Sequence, residues 1–242
     1  MLDTSIFNEI QKTDTLEGFP KFLQEWDEEF INRTKKIALF DKSITSKWTK
    51  YQKELFVKLL YHQRSHFDDV LWYMGNFAPD SATKEMILDN IRDEFGKGGR
   101  SHEKLYLDFA NCMGIDLTYE LIEEKFYLPF LREYNRGHLQ WLRDHDWTHR
   151  LSAFAALERL DNVDYLNLKN VVESFNLEKV DVLFFKVHIY VKHFEGAQGC
   201  QLDQIWNEQP NIIHKVFNFI GDYQIEIWKK ISDTILNHNL PD

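Results

Sequence analysis

The chain has 242 residues, 43% of them hydrophobic and 15% aromatic, which is enough to bury a sizeable core in one large domain. A formal charge of −10 and the lack of any run of Lys and Arg exclude a phosphate-binding surface, so nucleic acid is not an expected partner. Only Cys112 and Cys200 occur, far apart in sequence, which indicates neither a disulfide framework nor a thiolate zinc site and makes the cytoplasm the expected compartment. The opening MLDTSIFNEI lacks a charged segment followed by an apolar one, and no stretch reaches the roughly 18 apolar residues of a membrane span. A soluble chain that makes no membrane contact is expected.

Residues 1–12 read as a mobile tail, and helical periodicity then recurs in almost every segment. A first helix is predicted from about Leu16 to Lys36, with Pro20 tolerated near its first turn. The next spans Thr45 to Phe77, where Trp48, Tyr51, Leu55, Leu59, His62, His66 and Val70 recur at spacings of three and four. Ala78-Pro79-Asp80 stops it, and Ser81 is placed to cap a helix reaching Glu94, before the loop Gly96 to Gly99. Further helices are predicted over Ser101 to Met113, Thr118 to Asp144, Trp147 to Leu160, Val163 to Phe175, Leu177 to Gln198 and Asn211 to Leu236. Period-2 segments, repeats and low-complexity tracts are missing, so the expectation is one compact all-α domain over residues 1–242, with about seven or more helices.

Three segments carry chemistry. Val180 to Gly196 is almost wholly apolar, yet His188, Lys192 and Glu195 fall at i, i+4 and i+7 on one helical face. A helix apolar nearly all round is a buried one, so those groups need partners or a metal ion. Asp93 to Phe109 joins an acidic helix end to a helix opening with His102, and its glycines let Glu94 and His102 face one another across a turn. A phosphate cradle is the weaker reading of that loop, since GKGG lacks the Walker spacing and follows a helix. In Leu151 to Val163, Glu158 interrupts a small apolar face containing Ala153, Ala155 and Ala156. His138, His145 and His149, with Asp144, Asp146 and Arg150 interleaved, read as mainly a solvated helix end.

The combination of NIRDEFGKGGRSHEKLY, AALE and HIYVKHFE resembles the haem-oxygenase-like group of iron-containing oxidases, in particular its CADD-like members. Pyrroloquinoline quinone synthase and the TenA thiaminases are more distant relatives by fold. The resemblance covers roughly Trp48 to Ile205. It implies a haem-oxygenase-like helical bundle in which an acid, a His, a second Glu and a His-x-x-x-Asp-x-x-His helix hold two iron ions. Carried over, these are Glu94, His102, Glu158 and His188, with Asp93 as an alternative to Glu94. The pattern then departs, because Lys192 stands for the family's Asp and Glu195 for its closing His. A protonated lysine cannot donate a lone pair, so one iron is expected rather than two. Glu94, His102 and His188 would hold it as two imidazoles and one carboxylate, leaving positions open.

Lys192 would supply the charge of the absent ion beside Glu158 and Glu195. Tyr61, His62 and Glu195 are then the expected cavity residues, and Glu158 and Lys192 the catalytic ones. Expected partners are a small organic substrate, dioxygen and a second copy of the chain in a homodimer. The functional expectation is an iron-dependent oxidase or oxygenase. The alternative is a metal-free member of the same fold, either a cofactorless oxidase or a non-catalytic binding protein.

Overall fold

The computed structural model describes residues 17–178, 180–190 and 197–237. Among these residues the secondary structure is helical, without a strand: α1 Gly18–Thr34, a 3-10 turn Ala38–Phe40, α2 Lys42–Thr45, α3 Lys50–Arg64, α4 Phe67–Phe77, α5 Ser81–Glu94, α6 His102–Cys112, α7 Thr118–Glu123, α8 Pro129–Asp144, α9 Trp147–Ser174, α10 Leu183–Tyr190, α11 Ala197–Glu208 and α12 Pro210–Asn237. The all-α architecture expected from the periodicity is present. No helix among the described residues is long and apolar enough to cross a membrane.

The boundaries differ from the sequence expectation at several places: the helix expected over Leu177 to Gln198 begins only at Leu183, as α10, and α11 over Ala197–Glu208 was not expected, while four other differences have a local reason. Thr45 is the last residue of α2, and the stretch from there to Phe77 is two further helices, because Thr49 and Gln52 form a capping box that starts α3 afresh, and the chain turns again at Ser65 and His66. Thr118 to Asp144 is two, because Glu124 adopts a left-handed conformation after α7 and Pro129 opens α8. The predicted break between Leu160 and Val163 is absent, and α9 runs through it. Asp161 there is bonded to Arg64, so its carboxylate does not compete for the backbone. Asp80, rather than Ser81, caps α5 by accepting from the Thr83 backbone N–H.

The core is built around α9, which is buried along most of its faces and packs against α10, α11 and α12. Ala153, Ala155 and Ala156 are fully buried where a larger residue would hold neighbours apart, while Trp228, Phe56, Phe109, Phe154, Phe185 and Phe217 fill the space around them. Some polar groups enter this core with several partners. Asp164, wholly buried, accepts from Trp228 Nε1, Gln224 Nε2 and Arg64 Nη2.

His138 departs from the solvated position expected for it, being only 7% exposed. The start of α8 at Pro129 sets its helical phase, so Leu131, Tyr134, His138 and Leu142 form the inward face. Burial holds the His138 imidazole down at about 4, against an ordinary value of 6.5. The unfolded ring takes up a proton that the folded ring refuses, so this contribution to stability is complete above about pH 6.5 and is lost as pH falls towards 4. Up to about 3 kcal/mol is at stake. His138→Gln should flatten the stability profile over that interval, as read from denaturant midpoints measured between pH 7.5 and 4.5.

Candidate metal centre

Glu94 ends α5 and His102 opens α6, and the seven residues between them reverse the chain. Gly96 and Gly98 carry φ of 91° and 90°, a conformation natural to glycine. A Cβ on Gly96 would lie 2.6 to 2.8 Å from backbone atoms of Arg100 and Ser101. Ser101 then caps α6 through the Lys104 N–H, which places His102 on the first turn facing back to α5. Gly96→Ala should therefore cost roughly 1–3 kcal/mol and weaken any metal binding, because the turn must open and carry His102 away from Glu94. Thermal unfolding with a parallel metal titration would read both effects.

His102 Nδ1 and Glu94 Oε2 are 2.8 Å apart, with side chains only 12% and 15% exposed. The contact lacks hydrogen-bond alignment, so this buried nitrogen has a carboxylate beside it but no hydrogen-bond partner. Such an arrangement suits two donor atoms aimed at a common ion. From α10 comes His188, whose ring centroid lies 4.3 Å from that of His102. Its Nδ1 is 2.7 Å from the Phe184 carbonyl, which fixes the tautomer that presents Nε2 as a lone-pair donor. Tyr165 of α9 stacks on the same ring at 3.9 Å and 14°. Glu94, His102 and His188 each offer a ligand atom, and these atoms all lie within 4.8 Å of one another. Asp93, the alternative acid, instead pairs with Lys97 at 3.6 Å and is one-third exposed.

The three groups border a cavity of about 150 Å³, whose wall also includes Tyr61, Arg64, Asp68, Glu103, Asp161 and Tyr165. Aromatic rings of Phe67, Phe95, Tyr106 and Phe184 complete it. Tyr61 donates to Glu103 Oε1 at 3.3 Å. Arg64 binds Asp161 at 2.7 Å and Asp164 at 3.3 Å, with its guanidinium over the Tyr165 ring at 4.6 Å. Asp68 is pushed up to about 6 by burial and then by Glu94 and Glu103.

Two of the expected positions fall elsewhere. His62 does not border this cavity; it is buried against Glu120, at 3.0 Å, and stacks on Tyr127. Adjacent residues of a helix point about 100° apart, so with Tyr61, Arg64 and Ser65 facing the cavity His62 must face away. Glu158 is buried on α9 but is not among the cavity-lining residues, and its carboxyl is held well above the usual range by burial, then by Asp161 and Glu94. Lys192 and Glu195 lie outside the described residues. Arg64, Asp161 and Tyr165 were not singled out from the sequence, although Glu158, Asp161 and Tyr165 fall at i, i+3 and i+7 of one helix face.

A family profile described as iron-containing redox enzyme matches residues 54–201. The chain belongs to that family. Within the iron-containing redox enzymes it shares its fold with a CADD-like protein of unknown function from Nostoc punctiforme PCC 73102. That protein's crystal structure at 1.35 Å is similar over 92% of this chain and 99% of the other, with 14% identity and a TM-score of 0.67. A second crystal structure of a CADD-like protein from the same organism, at 2.00 Å, is similar over 89% and 99%, with 16% identity and a TM-score of 0.59. At these identities the likeness is one of fold. No curated protein matches the chain. Membership agrees with the suspected haem-oxygenase-like group, and it points to redox chemistry on a small molecule.

Proposed function

We propose that this chain is a non-haem iron oxidase or oxygenase that activates dioxygen toward a small organic substrate, with Glu94, His102 and His188 as the protein ligands of a single iron(II). The observation that carries this reading is the convergence of those three donor sets, within 4.8 Å, on the wall of the 150 Å³ cavity. Two imidazoles and a carboxylate leave coordination positions open. The donors fit the ion: His102 Nδ1 is buried without a hydrogen bond, and His188 is anchored through Nδ1. When bound, iron supplies the one-electron steps that organic side chains perform poorly with dioxygen.

The remaining work belongs to the chain's own residues. Phe67, Phe184 and Tyr106 keep water from the inner wall, and a cavity of this size admits a guest about as large as benzene. Tyr61 and Glu103 stand together on the wall, placed to bind a polar group of the substrate. Glu158, whose burial favours its neutral form, is suited to hold a proton near the site. Lys192, four residues beyond His188, is assigned the positive charge that replaces a second ion, with Glu195 as its further partner. The ion pair from Arg64 occupies Asp161 as well, which also favours one ion over two.

Elemental analysis of protein purified without chelator or affinity-resin metal tests the proposal. At most one iron per chain is expected. Two tightly held ions would overturn the stoichiometry, and an iron-free protein that still consumes dioxygen would favour the cofactorless alternative.

A further inference from the structure

Next to the cavity bordered by Glu94, His102 and His188 lies a smaller one of about 40 Å³, bordered by Gln63, Arg64, His66, His138, Asp161 and Gln224, among others. Arg64, Phe67 and Asp161 border both. The shared wall therefore includes the Arg64–Asp161 ion pair and a phenylalanine ring.

Three buried side-chain atoms of residues that border the smaller cavity have no hydrogen-bond partner in the protein: Gln63 Oε1, His138 Nε2 and Arg64 Nε, of which only Arg64 also borders the larger one. Gln63 and His138 are only 5% and 7% exposed, so bulk solvent does not satisfy them. The His138 ring bonds the Tyr134 backbone and is held neutral by burial, which leaves Nε2 as an acceptor. The smaller cavity thus offers two acceptors and one cationic N–H. An anion would face two lone pairs, and a cation would face a guanidinium. A neutral molecule that donates twice and accepts once satisfies all three, and water does so with the usual three bonds of a buried molecule. The volume holds roughly two to four waters at ~10–15 Å³ each.

We propose that this smaller cavity is a built water site, and that the water held by Arg64, Gln63 and His138 is the proton inlet of the larger cavity, with Asp161 passing the proton through the shared wall. The relay rests on the iron and dioxygen reading, because reduction of dioxygen consumes protons. His66, with a side chain 30% exposed, borders the same cavity and supplies the route to bulk solvent. In each transfer a water O–H bond breaks as an O–H bond forms on the Asp161 carboxylate, and the water regains a proton from the His66 side. One proton moves and no electrons do. Burial raises the Asp161 carboxyl, which favours its acceptance of that proton.

A crystal structure of the isolated protein at a resolution that shows water decides the first half. An ordered water within hydrogen-bond distance of all three atoms is expected, and a dry cavity or a bound ion there would overturn the proposal. For the second half, His138→Phe fills the cavity and removes an acceptor, whereas His138→Gln keeps one. The phenylalanine variant should lose the water, keep the iron stoichiometry, and consume dioxygen at least tenfold more slowly when iron-loaded, with an altered solvent deuterium isotope effect. The glutamine variant should stay within about threefold of the wild type. Unchanged rate and isotope effect in His138→Phe would sink the relay. Gln63→Leu provides the same comparison if the phenylalanine variant does not fold. A wild-type protein that binds no iron would overturn the functional reading and the relay with it, while the density in the smaller cavity still judges the water site.

Discussion

His102→Ala and His188→Ala should each abolish stoichiometric iron binding while leaving a folded domain. Three protein donors hold the ion in the proposed site, and removing one leaves two, too few for a stable open site. The two substitutions differ in what else they disturb. His102 is the first residue of α6, where the cap is supplied by Ser101, so an alanine there leaves the helix start intact. His188 lies between Tyr165 and Phe184, with its ring stacked on the former, so its loss opens a small gap in the core and should lower the thermal midpoint by a few degrees. Glu94→Gln should act like the histidine variants on iron while changing stability least. Metal analysis and circular dichroism of the three variants, with and without added iron(II), make the test. Undiminished loading in both histidine variants would refute the assignment.

The parts of this site that were legible in the sequence are those set by local geometry. Glu94 and His102 are joined by one glycine turn, and His188 stands on the most apolar segment of the chain, so residue type and spacing brought them to notice, while the family resemblance supplied their reading as a ligand set. Helix boundaries were legible where a proline marks them, as at Pro79 between α4 and α5, although the cap there is Asp80 and not the expected Ser81, and less so where a capping box lies inside a periodic stretch, as at Thr49. Arg64 and Asp161 escaped notice because their pairing joins residues 97 positions apart, and neither carries a local signature. His62 illustrates the opposite error. The resemblance placed it in the cavity together with Tyr61, but one step along a helix turns a side chain towards a different partner, here Glu120. His138 likewise depended on the phase of α8, which Pro129 sets.

Arg64→Met should destabilise the fold by about 3–5 kcal/mol, because it strands two carboxylates inside the core. Asp164 is wholly buried and Asp161 has a side chain only 18% exposed, and Arg64 is the cation that both touch. Methionine replaces the length of the side chain but neither its charge nor its contact over Tyr165. Both carboxyls are already raised by burial, and without the guanidinium they rise further. A carboxyl raised in the folded state favours folding below its unfolded value and loses that contribution as pH rises through the folded value. The gap between wild type and variant should therefore widen from pH 5 to pH 8, in contrast to a simple packing defect, which would be indifferent to pH. Asp164→Asn placed in the Arg64→Met background removes one stranded charge and should recover part of the loss, whereas Arg64→Lys, a point charge without the planar fork, should fall between the two. Chemical denaturation of the four proteins at both pH values gives the comparison. A loss below about 1 kcal/mol for Arg64→Met would mean that the carboxylates reach solvent or another cation, and the Arg64 pair would then be no barrier to a second metal ion.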